Sequence, residues 1–126
     1  MNPEVGEHLD KAKDCLKRAR VILDAGIGED AGRNAYLAAF HAAQAFIIAR
    51  RGRVARTHRG VHVLFHELTA SDPALGDLAA FLSRAYELKA TADYEVGADA
   101  DVPLDEASAA IASAEQFVAR IILALG

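Results

Sequence analysis

A chain of 126 residues has the size of one domain, and at that length folding buries roughly two-thirds of the unfolded surface, enough for a core without staples. A hydrophobic fraction of 52% beside 25% charged residues excludes a disordered chain, and a single cysteine, Cys15, excludes an internal disulfide and a cysteine-based zinc site. The net charge of −4 argues against general affinity for nucleic acid.

Caps and hydrophobic periodicity predict five helices and no strand. Asn2 caps the first, with Pro3 at its first position, Leu9, Ala12, Leu16, Ala19 and Leu23 as its inward stripe, and Gly26 as its stop. Glu4, Glu7 and Asp10 interrupt any apolar run here, so no signal peptide is expected. Asp30 is the expected cap of the second helix, which runs to Arg51 before Gly52. Two stripes line it, Tyr36, Phe40, Ala43, Ile47 and Leu37, His41, Gln44, Ile48, and a helix apolar on both belongs at the centre of a bundle. The greasy stretch from Ala35 to Ala49 is too short to cross a bilayer, so the expectation is a cytoplasmic protein without membrane contact. Thr57 caps a short third helix bearing Val61, Leu64, Phe65 and Leu68. Asp72 and Pro73 are the expected start of the fourth, with Leu75, Leu78, Leu82 and Ala85 inward. A loop from Glu95 to Val102 leads to the fifth, which starts at Pro103 and carries Leu104, Ala107, Ile111, Ala114, Val118, Ile121 and Leu125. Short connections imply antiparallel neighbours. The expected fold is therefore all-α: an up-down antiparallel four-helix bundle with an additional short helix between the second and fourth.

Three places carry chemistry. His41 sits with Gln44 on a face that should touch other helices, where burial disfavours an imidazolium. It reads either as a histidine satisfied by a partner side chain or as an acid/base or ligand group at a cleft. Arg50, Arg51, Arg53, Arg56 and Arg59 fall in one segment with no acidic residue among them. Of these, Arg53, Arg56 and Arg59, with His58 and His62, lie around a helix start, where free amides favour anions and guanidinium forks match phosphate. The same patch also fits a solvated loop or a docking point for an acidic protein. Lys89, one turn before Asp93, falls at the end of the fourth helix's stripe, where an ion pair between the two is in reach.

Arg33, Tyr36, Phe40, His41 and Ala42 in the second helix, His58, Gly60, Val61 and Phe65 in the third, and Lys89, Ala92, Asp93 and Tyr94 at the end of the fourth resemble the HEPN family. The branch is the one with a YxxxFHxA helix, and the resemblance covers most of the chain from Asp30 onward. Lys89 stands where relatives more often carry arginine. The resemblance implies a helical bundle that pairs as a homodimer, often beside a minimal (MNT-type) nucleotidyltransferase in a two-component or toxin–antitoxin module. It also brings Arg33, Tyr36, His41, Lys89, Asp93 and Tyr94 forward as cleft residues. Many HEPN toxins are metal-independent ribonucleases with arginine, four to six residues, then histidine on one helix. Here seven residues separate Arg33 from His41, whereas Arg53 with His58, Arg56 with His62 and Arg59 with His66 have the spacing but lie elsewhere.

The leading expectation is a HEPN module that binds a nucleotide or RNA phosphate or a nucleotidyltransferase partner. A metal-independent ribonuclease and a ligand-free oligomeric scaffold are the alternatives. No Glu-x-x-His pair, phosphate-binding glycine loop or GxSxG elbow is present, and neither metal nor cofactor is expected.

Overall fold

The computed structural model describes residues 2–97 and 101–126; the middle of the expected loop, Asp99 included, lies outside the described residues. Helix α1 spans Pro3–Asp24, and the Asn2 side chain accepts from the Glu4 amide at 2.9 Å. Gly26, at φ 82°, turns the chain into α2, Gly28–Arg51. That start precedes the expected Asp30 cap. Ile27 is the cap residue and offers no side-chain bond, while Asp30 lies in the first turn and pairs with Arg33. Gly28 explains the early start: the Val102 carbonyl presses where a Cβ would stand, so the helix end is covered by backbone. Gly52, at φ 82°, closes α2 by donating its amide to the Ile48 carbonyl at 2.7 Å.

Helix α3, His58–Thr69, is capped by Thr57, whose hydroxyl oxygen accepts from the Gly60 amide at 2.9 Å. Asp72 and Pro73 do not open the next helix. The Asp72 side chain accepts from the Ala74 amide and its carbonyl accepts from the Leu75 and Gly76 amides, which makes a turn and buries Leu75. Only then does α4, Gly76–Tyr94, begin. In α5, Leu104–Leu125, Pro103 is the cap residue rather than the first helical one.

Helix α2 touches the other four helices; α1 meets α5, α3 meets α4, and α4 and α5 barely meet. Its composition allows this. Ala31, Ala35, Ala38, Ala39, Ala42 and Ala43 are fully buried, and side chains this small let neighbours approach from several sides. The larger volume comes from Phe46, Phe65, Phe81 and Phe117, one from each of α2 to α5, with ring centroids 5.4–6.0 Å apart along the chain of contacts. Each fully buried ring of this size contributes about 1.5–3 kcal/mol relative to exposure. Arg120 of α5 ties the Asp72 turn in place through Asp77, at 2.8 Å, and the Ala74 carbonyl. By length and composition α5 is apolar enough to cross a membrane, yet its stripe Ala107, Ala110, Ile111, Ala114, Phe117, Val118 and Ile121 is buried within the bundle.

Candidate functional site

Gln44 shapes the approach to the site. Its side chain is buried, donates to the Ala55 carbonyl at 2.8 Å and accepts from the Ala55 amide at 3.1 Å. The arginine-rich joint between α2 and α3 is thus pinned at its middle, and the Thr57 cap then launches α3 with His58 as its first residue. His62 lies one turn on and faces the same way.

Both imidazoles converge on one buried group. Tyr36 of α2 is wholly buried, and its hydroxyl lies 2.8 Å from His58 Nδ1 and 3.1 Å from His62 Nε2. Phe40, one turn further, packs against His58 with ring centroids 4.6 Å apart. Tyr86 of α4 closes the other side, edge-on to Tyr36 at 5.3 Å and to His62 at 5.4 Å. His58, Arg59, His62 and Tyr86 line an open hollow of about 300 Å³.

The electrostatics keep this cluster neutral. Burial lowers the His58 imidazole, with the Lys89 ammonium adding to the effect; burial, and then His58, lowers His62. Burial, with Tyr86 second, pushes the Tyr36 phenol far above its ordinary range. At neutral pH the hollow therefore presents two uncharged imidazoles, each with one ring nitrogen engaged by a phenol that stays protonated.

Beside it Asp93 bridges two cations, accepting from Arg33 Nε at 2.7 Å and from Lys89 Nζ at 2.7 Å, while Arg33 also bonds Asp30. The Lys89 ammonium lies 5.7 Å from the Tyr86 ring centroid and 5.5 Å from that of Tyr94, whose ring is exposed. Hydrogen bonds from Lys89 and then Arg33 hold the Asp93 carboxyl below the usual range.

The sequence candidates thus separate into groups. His58, Arg59 and His62 line the hollow with Tyr36 beneath them; Arg33, Lys89, Asp93 and Tyr94 form the adjoining charged cluster. Arg53 and Arg56 stand exposed on the joint. Among the described residues, Arg53, Arg56 and Arg59 make no ion pair, whereas Arg51 reaches Glu67 at 4.0 Å and Arg50 covers the Phe46 ring at 4.6 Å. His41 lies apart, against α1: its Nδ1 is 3.0 Å from His8 Nδ1 and the rings stack. Burial, with His8 and Lys11 adding to it, lowers His41 to about 4. Sequence reasoning passed over His8 and Tyr86. His8 is next to the stripe residue Leu9, and Tyr86 follows Ala85 of the fourth helix's stripe, so each is an aromatic or imidazole ring at a boundary position. No three metal-ligating side chains come together among the described residues. A larger groove of about 420 Å³ opens where α4 and α5 splay, lined by Phe81, Leu88, Arg84, Glu87 and Glu106 among others, but it gathers no imidazole or phenol.

The family model of the HEPN domain matches residues 5–123. This chain is a HEPN domain. Curated relatives agree in extent. A UPF0332 protein from Archaeoglobus fulgidus is 32% identical over 117 residues, covering 93% of this chain and 91% of that protein. A protein from Methanocaldococcus jannaschii named "Putative toxin" is 28% identical over 124 residues, covering 97% of this chain and 89% of its own. The HEPN match takes in all five helices, so the hollow and the Asp93 cluster both lie within the HEPN unit.

Proposed function

We propose that this HEPN domain is a toxin-like module whose hollow between α2, α3 and α4 receives an RNA phosphodiester. The observation that carries the reading is the gathering of Arg59, His58 and His62 around one hollow above the buried Tyr36 hydroxyl. The Arg59 guanidinium, with no carboxylate against it among the described residues, supplies a fork for phosphate oxygens, and neutral imidazoles supply hydrogen bonds without adding a like charge. Exposed Arg53 and Arg56 extend the positive surface toward the flanking backbone. The relative named as a toxin supports the toxin-like role, and an MNT-type nucleotidyltransferase encoded beside it is the expected partner.

Fluorescence anisotropy with a labelled single-stranded RNA tests the reading. Loss of one charge-assisted bond of about 1.5–3 kcal/mol in Arg59→Ala should weaken binding about tenfold or more. The slope of log K against log salt should also become shallower by about 0.7. No binding by wild type, or equal binding by Arg59→Ala, refutes it.

The two imidazoles also favour a second reading, metal-independent cleavage. One ring nitrogen with a lone pair accepts the proton of a 2′-hydroxyl as its oxygen attacks phosphorus; an N–H on the other protonates the departing 5′-oxygen, that ring regaining a proton from the first through the Tyr36 hydroxyl between them, and Arg59 holds the non-bridging oxygens. RNA cleavage in EDTA checks this, and equal activity in a His58→Ala, His62→Ala double variant removes the pair from any such reaction.

A further inference from the structure

The buried phenol has one proton and two imidazole neighbours, and that arithmetic constrains both rings. Tyr36 Oη lies 2.8 Å from His58 Nδ1 and 3.1 Å from His62 Nε2, so satisfying both contacts requires the hydroxyl to donate to one ring and accept from the other. Either arrangement has a definite consequence at the opposite ring nitrogens, His58 Nε2 and His62 Nδ1, which have no partner among the described residues. If the hydroxyl donates to His58 Nδ1, then His58 carries its proton on Nε2 and His62, donating through Nε2, keeps a lone pair on Nδ1. If it donates to His62 Nε2, then His62 carries its proton on Nδ1 and His58 keeps a lone pair on Nε2. In both cases the outer nitrogens comprise one donor and one acceptor, and in both cases the two rings share the same tautomer: Nε2–H in both, or Nδ1–H in both.

We propose that Tyr36 is a positioning residue that locks His58 and His62 into matched tautomers and relays a proton between them. The balance of the relay is complete. A proton taken up at His62 Nδ1 is matched by the Nε2 proton of His62 passing to Tyr36 Oη, the Tyr36 proton passing to His58 Nδ1, and the Nε2 proton of His58 leaving to a bound acceptor. Three N–H or O–H bonds form and three break within the protein, one more breaks at the ligand group that gives up the proton and one more forms at the acceptor, each ring begins and ends neutral, and the phenol ends as a phenol. The geometry suits this, because an interior site disfavours the alternative, an imidazolium beside a deprotonated imidazole. The second arrangement is the first with donor and acceptor exchanged, so the site after one transfer is poised for the reverse one.

The functional side of this inference rests on the proposed role of the hollow, but its test does not. Two-bond 1H–15N correlation spectra of the full chain report which nitrogen of each ring is protonated. Recorded at about pH 8, above the ordinary histidine value of about 6.5, wild type should show the same tautomer for His58 and His62. In folded Tyr36→Phe each ring should move toward the mixture of an unconstrained imidazole. Opposite tautomers in wild type, or unaltered tautomers in folded Tyr36→Phe, overturn the proposal. Should Tyr36→Phe fail to fold, the wild-type spectrum alone decides, since mixed tautomers would leave the hydroxyl facing two donors or two acceptors. Matched tautomers in a chain that binds no RNA overturn the functional reading and sustain this one; mixed tautomers in a chain that binds RNA overturn this one alone.

Discussion

Replacing Gln44 by methionine keeps the length of the side chain and removes its amide, and the structure sets the cost. Gln44 makes two hydrogen bonds to the Ala55 backbone from a position only 5% exposed. Each contributes about 1 kcal/mol net, and leaving the Ala55 amide and carbonyl unmet adds about 1–3 kcal/mol for each group that water cannot reach. Ala55 is half-buried, so water recovers part of that second amount and the expected loss is about 2–4 kcal/mol. With an unfolding entropy of about 2.1 cal/mol/K per residue, or about 0.26 kcal/mol/K over the chain, Tm should fall by about 8–15 °C. Circular dichroism melts and urea titrations measure both quantities. Gln44→Glu makes an informative companion, because a carboxylate accepts from the Ala55 amide but cannot donate to its carbonyl, so it too should destabilise at neutral pH. A loss below about 1 kcal/mol in Gln44→Met would show that the joint is not anchored through Ala55.

Stability should respond to acid through His41. Its folded value of about 4 lies below the unfolded value of about 6.5, so the unfolded chain binds the extra proton; stability is full above about pH 6.5 and declines as pH falls toward about 4. Because the ring is half-buried the loss is at most about 3 kcal/mol, and urea unfolding of His41→Gln should show a flatter profile over that window; an identical profile would discount the histidine. Asp93→Asn should cost no more than about 1 kcal/mol for each lost pair with Lys89 and Arg33. Since Asp93 is held below the usual carboxylate range, that contribution is present at neutral pH and disappears as acid titrates it, and a cost equal at low and high salt would contradict the electrostatic account. Gly28→Ala should destabilise by about 2 kcal/mol or more, because the new Cβ would overlap the Val102 carbonyl oxygen, and an unaltered melting temperature would mean that the backbone leading into α5 yields freely.

Most of the helical layout was legible because period and caps are local. Asn2, Gly26, Gly52 and Thr57 act where the sequence put them, since each uses its own backbone or a neighbour within one turn. Asp30 and Asp72 misled for the same physical reason: an aspartate that suits a helix cap equally suits an ion pair one turn along or a tight turn. What decides between them is distant, namely the Val102 carbonyl over Gly28 and Arg120 reaching the Ala74 carbonyl and Asp77. At the site, the reach of Lys89 to Asp93 followed from spacing, and the histidines of the third helix were visible as a group. That the Tyr36 hydroxyl ends beneath His58 and His62 depends on how α3 folds back over α2. Tyr86 and His8 depended on such crossings too, because each meets its partner from another helix.

An alanine-lined helix enclosed by its neighbours has no cheap way to fray along its middle. Its central amides should surrender their hydrogens to deuterated solvent only when the whole chain opens, whereas those of the 12-residue α3, packed on fewer neighbours, should exchange sooner. The phenol of Tyr36 is in that sense a fixed post on which two imidazoles from a neighbouring helix rest. A ligand entering the hollow thus meets rings braced from beneath by an anchored helix.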